Sequence, residues 1–81
     1  MKTNLNGMDL EDWHRADVIS ALKKKGISLA LLSRKSGLKS GSLYNALIRP
    51  WPKGERIIAA AIGEKPELIW PSRYVGVKQD A

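Results

Sequence analysis

Apolar positions recur at intervals of three and four along most of the chain, and two such runs face each other across Gly37. The first run contains Leu29 and Leu32, and the second contains Leu43, Ala46 and Leu47. Each set falls on one face of a helix with 3.6 residues per turn. Gly37 between them marks a tight turn. Ser28 stands just before the first run, where its hydroxyl can accept from an otherwise unpaired backbone N–H one turn further in. Ser33 is small, as a close crossing of two helices requires, and Leu38 supplies an apolar plug inside the turn. The second helix begins near Lys39 or Ser40; Lys is a poor cap and Ser a good one.

Further helices flank this pair. Asp9 or Asp12 offers an N-cap to a helix whose apolar stripe is Trp13, Ala16, Ile19 and Leu22, widened by Val18 and ending at Gly26. Lys23, Lys24 and Lys25 suit the negative pole of that helix. Pro50 and Pro52 break the second helix of the pair, and Pro52 is placed to open the next. The stripe there is Ile57, Ile58, Ala61 and Ile62, with Gly54 on the same side permitting close approach, and Gly63 ends it. Pro66 opens a short helical turn, Glu67 suits its positive end and Pro71 stops it, with Leu68 and Trp70 closing the core. Periodicity is lost from Ser72 onward. The expected fold is all-α: a compact bundle of four to five short helices around a central helix-turn-helix, in the lambda-repressor-like layout that exposes the third helix. Residues 1–11 read as a flexible N-terminal arm, residues 12–74 as the folded domain and residues 75–81 as a mobile C-terminal tail.

An 81-residue chain has room for one domain, and its small size demands a compact helical core or staples. The absence of cysteine removes disulfides and thiolate metal sites, and His14 alone cannot hold a metal. No stretch approaches the roughly 20 apolar residues that span a bilayer, so a soluble cytoplasmic protein is expected. His14 and Asp17 share a helix face, but no nucleophile, second carboxylate pair or phosphate-cradling glycine loop joins them. Neither a catalytic site, a cofactor nor a small-molecule ligand is therefore expected.

Lys and Arg number 14 against 8 Asp and Glu, a formal charge of +6. Such an excess favours a polyanion, and phosphate neutralisation supplies most non-specific affinity for DNA. On the second helix of the pair, taking Leu43 as the core direction sends Gly41, Asn45 and Ile48 outward, with Tyr44 beside them. An amide such as that of Asn45 can pair with an adenine edge, Ile48 can meet a thymine methyl, and Gly41 lets the backbone approach closely. Tyr44 and the Ser40 hydroxyl complete the candidate base-reading set. Lys35, Lys39, Arg49 and Lys53, with the hydroxyls of Ser28 and Ser42, are the candidate phosphate contacts. Trp51 is a packing anchor between helices.

One helix reads too few base pairs to discriminate, because each correct pair contributes roughly 1–3 kcal/mol. Two copies on double-stranded DNA are expected, pairing mainly on the DNA because no wide apolar face is left over for a dimer interface. The alternative is a protein-interaction module, such as an antitoxin or adaptor. That reading wants a long partner-binding tail or a broad apolar patch, and the short, mildly apolar ends count against it.

Three blocks carry a family resemblance: Asp12-Trp13-His14-Arg15-Ala16-Asp17-Val18-Ile19, Trp51-Pro52-Lys53-Gly54-Glu55, and Lys65-Pro66-Glu67-Leu68-Ile69-Trp70-Pro71-Ser72-Arg73-Tyr74. At matching spacing they resemble the Ner regulators of Mu-like transposable phages and their chromosomal Ner-like (Nlp) relatives. The resemblance spans roughly residues 12–74. It implies a small all-α regulator, free of a wing, with a phage-repressor-type helix-turn-helix, whose phage members repress early transcription by binding operator DNA. It does not transfer the operator, because Ser40, Gly41, Ser42, Tyr44 and Asn45 are where members of such a family would differ.

Overall fold

The computed structural model describes residues 11–74, which form six helices and no strand. The proposed arm and tail, Glu11 apart, lie outside the described residues. The helices are α1 (Arg15–Lys24), α2 (Leu29–Lys35), α3 (Tyr44–Ile48), α4 (Pro52–Ile62), α5 (Pro66–Ile69) and α6 (Pro71–Tyr74). The count exceeds the expected four to five because Pro71 does more than stop α5. It opens one further turn, whose Ser72 N–H and Oγ–H are both accepted by the Asp12 carboxylate, at 2.8 and 2.7 Å.

Asp12 is therefore not the cap of α1. That role falls to His14, whose Nδ1 accepts from the Ala16 N–H at 2.9 Å. The Trp13 N–H reaches the Ile69 carbonyl at 2.9 Å, so the entry to α1 is bound to the end of α5.

The core is made by Val18 and Leu22 of α1, Leu32 of α2, Ala46 of α3, and Ile58, Ala59 and Ile62 of α4, together with Leu43, Ile69 and Trp70. Two predicted stripes are rotated from the expected phase. In α1 the fully buried pair is Val18 and Leu22, whereas Ala16 is exposed. Steps of three fall about 60° short of a full turn each time and drift around the cylinder, while the four-residue step stays on one face. In α4 the buried line is Gly54, Glu55, Ile58, Ala59 and Ile62, with Ile57 and Ala61 only partly covered. The Trp51 indole lies directly on Gly54, where any Cβ would collide with the ring. At α5 the core is closed by Ile69 and Trp70, while Leu68 is 55% exposed. A single helical turn is too short to show periodicity, and its neighbours in sequence point about 100° apart.

Candidate nucleic-acid interface

The helix-turn-helix is α2, a turn through Gly37, and α3. Ser28 caps α2, its Oγ accepting from the Leu31 N–H at 3.1 Å. Gly37 has φ +81°, a left-handed conformation that side chains resist. It lets the Gly37 N–H reach the Arg34 carbonyl at 3.0 Å and the Leu38 N–H reach the Ser33 carbonyl at 2.9 Å, closing α2. Leu38 then packs against the core.

Regular α-helix resumes at Tyr44, later than Lys39 or Ser40. Between them the chain winds through three-residue turns: Ser42 N–H to the Lys39 carbonyl at 2.9 Å, Asn45 to Ser42 at 3.0 Å, and Ala46 to Leu43 at 3.0 Å. Two causes act together. Gly41 and its flanking serines are weak helix formers. The Leu43 N–H, moreover, is taken by the Ser33 hydroxyl at 3.1 Å in a buried setting. Ser33 is wholly buried, so its size permits the crossing and its oxygen anchors the start of α3. Spacing revealed the first role and not the second; the available signal was Ser at a position where Ala would pack as closely.

On α3 and its approach, Leu43 and Ala46 are fully buried and Leu47 is half-buried, whereas Ser40, Gly41, Tyr44, Asn45 and Ile48 are exposed. Tyr44 keeps 40% and Ile48 54% of its surface open. Ser42 is half-buried, and Ser28, Lys35, Lys39, Arg49 and Lys53 are exposed. Lys35 ends α2, Lys39 lies in the turn, Arg49 caps the C-terminal end of α3 and Lys53 sits in the first turn of α4. Residues 18–54 contain no Asp or Glu but carry Lys23, Lys24, Lys25, Arg34, Lys35, Lys39, Arg49 and Lys53. The next carboxylate, Glu55, is buried and paired with Arg73 at 3.0 Å, and no other ion pair occurs among the described residues. The segment thus carries exposed, unpaired cations both before and after the exposed helix in sequence.

Glu55 is the centre of a polar knot that sequence reasoning missed. Its Oε2 accepts from the Trp51 N–H at 2.7 Å and from Arg73 Nη1 at 3.0 Å, and its Oε1 accepts from the Tyr74 hydroxyl at 2.6 Å. Arg73 Nη1 also donates to the Ala46 carbonyl of α3. The Arg73 guanidinium lies over the Trp70 ring, 5.2 Å from its centroid. Burial, then the bond to and charge of Glu55, push the Tyr74 hydroxyl up to about 12. A Glu just inside a Pro-started helix was a usable signal for Glu55. Arg73 and Tyr74 lay where periodicity had ended and gave none. Among the described residues no group of three or more potential ligands could hold a metal, and no helix is long and apolar enough to cross a membrane.

A family described as "Winged helix-turn-helix DNA-binding" matches residues 12–81. The "Negative regulator of transcription" of Escherichia phage Mu is 64% identical over 63 residues, covering 78% of this chain and 84% of that one. The chain belongs to the Ner-like helix-turn-helix family. A second relative of this Ner-like chain is "Sugar fermentation stimulation protein B" of Escherichia coli K12, 64% identical over 63 residues, covering 78% of this chain and 68% of that protein. The solution structure of the Mu Ner protein superposes with a TM-score of 0.70 at 60% identity, covering 83% of this chain and 90% of that one. Despite the family's description, the Ner-like fold here has no strand, and hence no wing, among the described residues.

Proposed function

We propose that this Ner-like protein is a sequence-specific repressor that binds double-stranded DNA and acts by occupying its operator. The single observation that carries this reading is the exposed face of α3 and its approach, Gly41, Tyr44, Asn45 and Ile48, set within a 37-residue stretch, residues 18–54, that has many cations and no carboxylate. In this reading α3 enters the major groove. Asn45, Tyr44 and the Ser40 hydroxyl touch base edges, Ile48 meets a thymine methyl, and Gly41 allows close approach. Lys35, Lys39, Arg49 and Lys53 meet phosphates flanking the groove. Ser42 adds a hydroxyl, and Ser28 can do so while capping α2, because its cap uses a lone pair and leaves the O–H proton to donate. No bond is made or broken, so the protein acts as a regulator and not as an enzyme, without cofactor or small-molecule ligand, in the cytoplasm. Two copies assemble mainly on the DNA, which doubles the number of base pairs read.

Selection of the full chain against a random-sequence duplex pool, followed by sequencing of the bound fraction, tests the reading. A motif made of two related half-sites is expected. Asn45→Ala should lose about 1–3 kcal/mol at one base position and relax preference there. A pool that emerges no different from its input would end the proposal, and an unchanged motif with Asn45→Ala would remove that residue from the reading set. The interaction-module alternative predicts that unchanged pool.

A further inference from the structure

We infer that Arg73, on the last described helix, is a positioning residue for DNA reading: it acts as a strut that fixes the C-terminal end of the recognition helix without touching DNA. The inference rests on α3 being the reading helix.

Five residues make only about one and a half turns, and so short a helix is not stable by itself. Its orientation has to come from outside. At the start, the Ser33 hydroxyl of α2 holds the Leu43 N–H at 3.1 Å. At the end, the sequence itself creates a vacancy. In an α-helix the Ala46 carbonyl accepts from the N–H four residues on, which here is Pro50, and proline has none. The next donor along, the Trp51 N–H, is committed to Glu55 Oε2 at 2.7 Å. The Ala46 carbonyl is instead met by Arg73 Nη1, which comes from 27 residues away.

That nitrogen carries two protons, and they are shared between the Ala46 carbonyl and Glu55 Oε2. Glu55 is in turn immobilised by Trp51 and Tyr74. The chain of contacts therefore runs from the core of α4, through Glu55 and Arg73, to the backbone between Asn45 and Ile48, the two exposed residues on either side of the Ala46–Leu47 pair. A cation at the C-terminal end of a helix also complements its exposed carbonyls. The Arg73 side chain is only 12% exposed, which leaves little of it for a phosphate.

The test uses the full chain with Arg73→Met, compared with the parent and with Tyr74→Phe. Tyr74→Phe loosens the Glu55 knot but leaves the Arg73–Ala46 bond. Each is titrated against the duplex recovered by selection and against a random-sequence duplex at several salt concentrations, and amide hydrogen exchange is read at Leu47, Ile48 and Arg49. With Arg73→Met, affinity for the selected duplex should fall about ten-fold or more, the value of a lost charge-assisted bond. Affinity for the random duplex should move no more than about two-fold, and the salt slope should stay unchanged, because no phosphate contact is lost. Exchange at the three amides should quicken, and Tyr74→Phe should leave selective binding intact.

A folded Arg73→Met that binds the selected duplex like the parent overturns the inference. So does an equal loss on both duplexes with a salt slope lower by about one, which would make Arg73 a phosphate contact. Where Arg73→Met does not fold, Arg73→Lys decides: its shorter stem keeps the charge beside Glu55 and releases the Ala46 carbonyl, so selectivity and exchange must move in the same directions, and no change overturns the inference. A parent that selects no sequence at all defeats the DNA-reading proposal, while unchanged exchange in the variants defeats the strut.

Discussion

Replacing Glu55 by Gln isolates the charge in the polar knot. The volume is kept, and so is every hydrogen bond in principle. The Gln carbonyl oxygen can take the place of Oε2 before the Trp51 N–H and Arg73, and its amide can face Tyr74, whose hydroxyl rotates to accept. Only the compensation of Arg73 is lost. Removing one partner of a fully buried ion pair costs about 3–5 kcal/mol, because the other charge stays enclosed and unpaired. Arg73 is less enclosed than that limit, with 12% of its side chain in water and its guanidinium over Trp70. The expected loss is therefore about 2 kcal/mol. In a domain of this size each kcal/mol moves the melting temperature by about 4–8 °C, so the midpoint should drop by about 8–16 °C. Circular-dichroism melts and urea titration at neutral pH read this directly, with an unchanged urea slope showing that only stability has moved. Glu55→Ala, which also strips the acceptors from Trp51 and Tyr74, should cost more, about 4 kcal/mol. A Glu55→Gln protein melting within about 2 °C of the parent would refute the reasoning, since at this domain size that is less than about half a kcal/mol.

Ser33→Ala leaves the buried Leu43 N–H without its acceptor and should cost about 1–3 kcal/mol in urea unfolding; no loss would mean that α3 starts without this anchor. Stability should fall as pH rises from 10 toward 12, because the folded state keeps the Tyr74 proton up to about 12 whereas the unfolded chain releases it near 10. Partial exposure limits the effect to about 1–2 kcal/mol; alkaline denaturation of Tyr74→Phe, lacking this contribution, should be flatter over that window, and parallel curves would exclude it. Lys39→Ala should weaken binding alike on all duplexes and lower the salt slope by about one, and an unaltered slope would return Lys39 to the solvated surface.

What the chain disclosed about itself was local. The α2–turn–α3 pair, the Gly37 reversal and the Pro52 start of α4 each follow from a residue acting on its own backbone or on neighbours a turn away. So does the division of α3 and its N-cap into buried Leu43 and Ala46 and exposed Asn45 and Ile48. What stayed hidden depends on partners remote in sequence. Asp12 has the chemistry of a cap, and it does catch a helix start, but one 60 residues away. Nothing near Glu55 in sequence discloses its partners, because Arg73 and Tyr74 reach it from 18 and 19 residues away. Leu68 and Ile69 could not be told apart within a one-turn helix, since which of two adjacent apolar residues is buried depends on where α4 lies.

The same division explains why the family was legible and its operator was not. The resemblance rests on blocks at residues 12–19, 51–55 and 65–74, and in the fold they meet each other: Asp12 holds Ser72, Trp13 holds Ile69, and Glu55, itself bound by the Trp51 N–H, holds Arg73 and Tyr74. They build the mount on which α3 stands. Gly41, Tyr44, Asn45 and Ile48 belong to none of the three blocks and are exposed. Besides the packing of the Leu43 and Ala46 side chains in the core, the side-chain hydrogen bonds that hold α3 and its start reach only backbone, from Ser33 to the Leu43 N–H and from Arg73 to the Ala46 carbonyl. Backbone anchors are indifferent to which side chains α3 displays, so the mount can be held constant while the sequence read is rewritten. The operator therefore has to be found by binding.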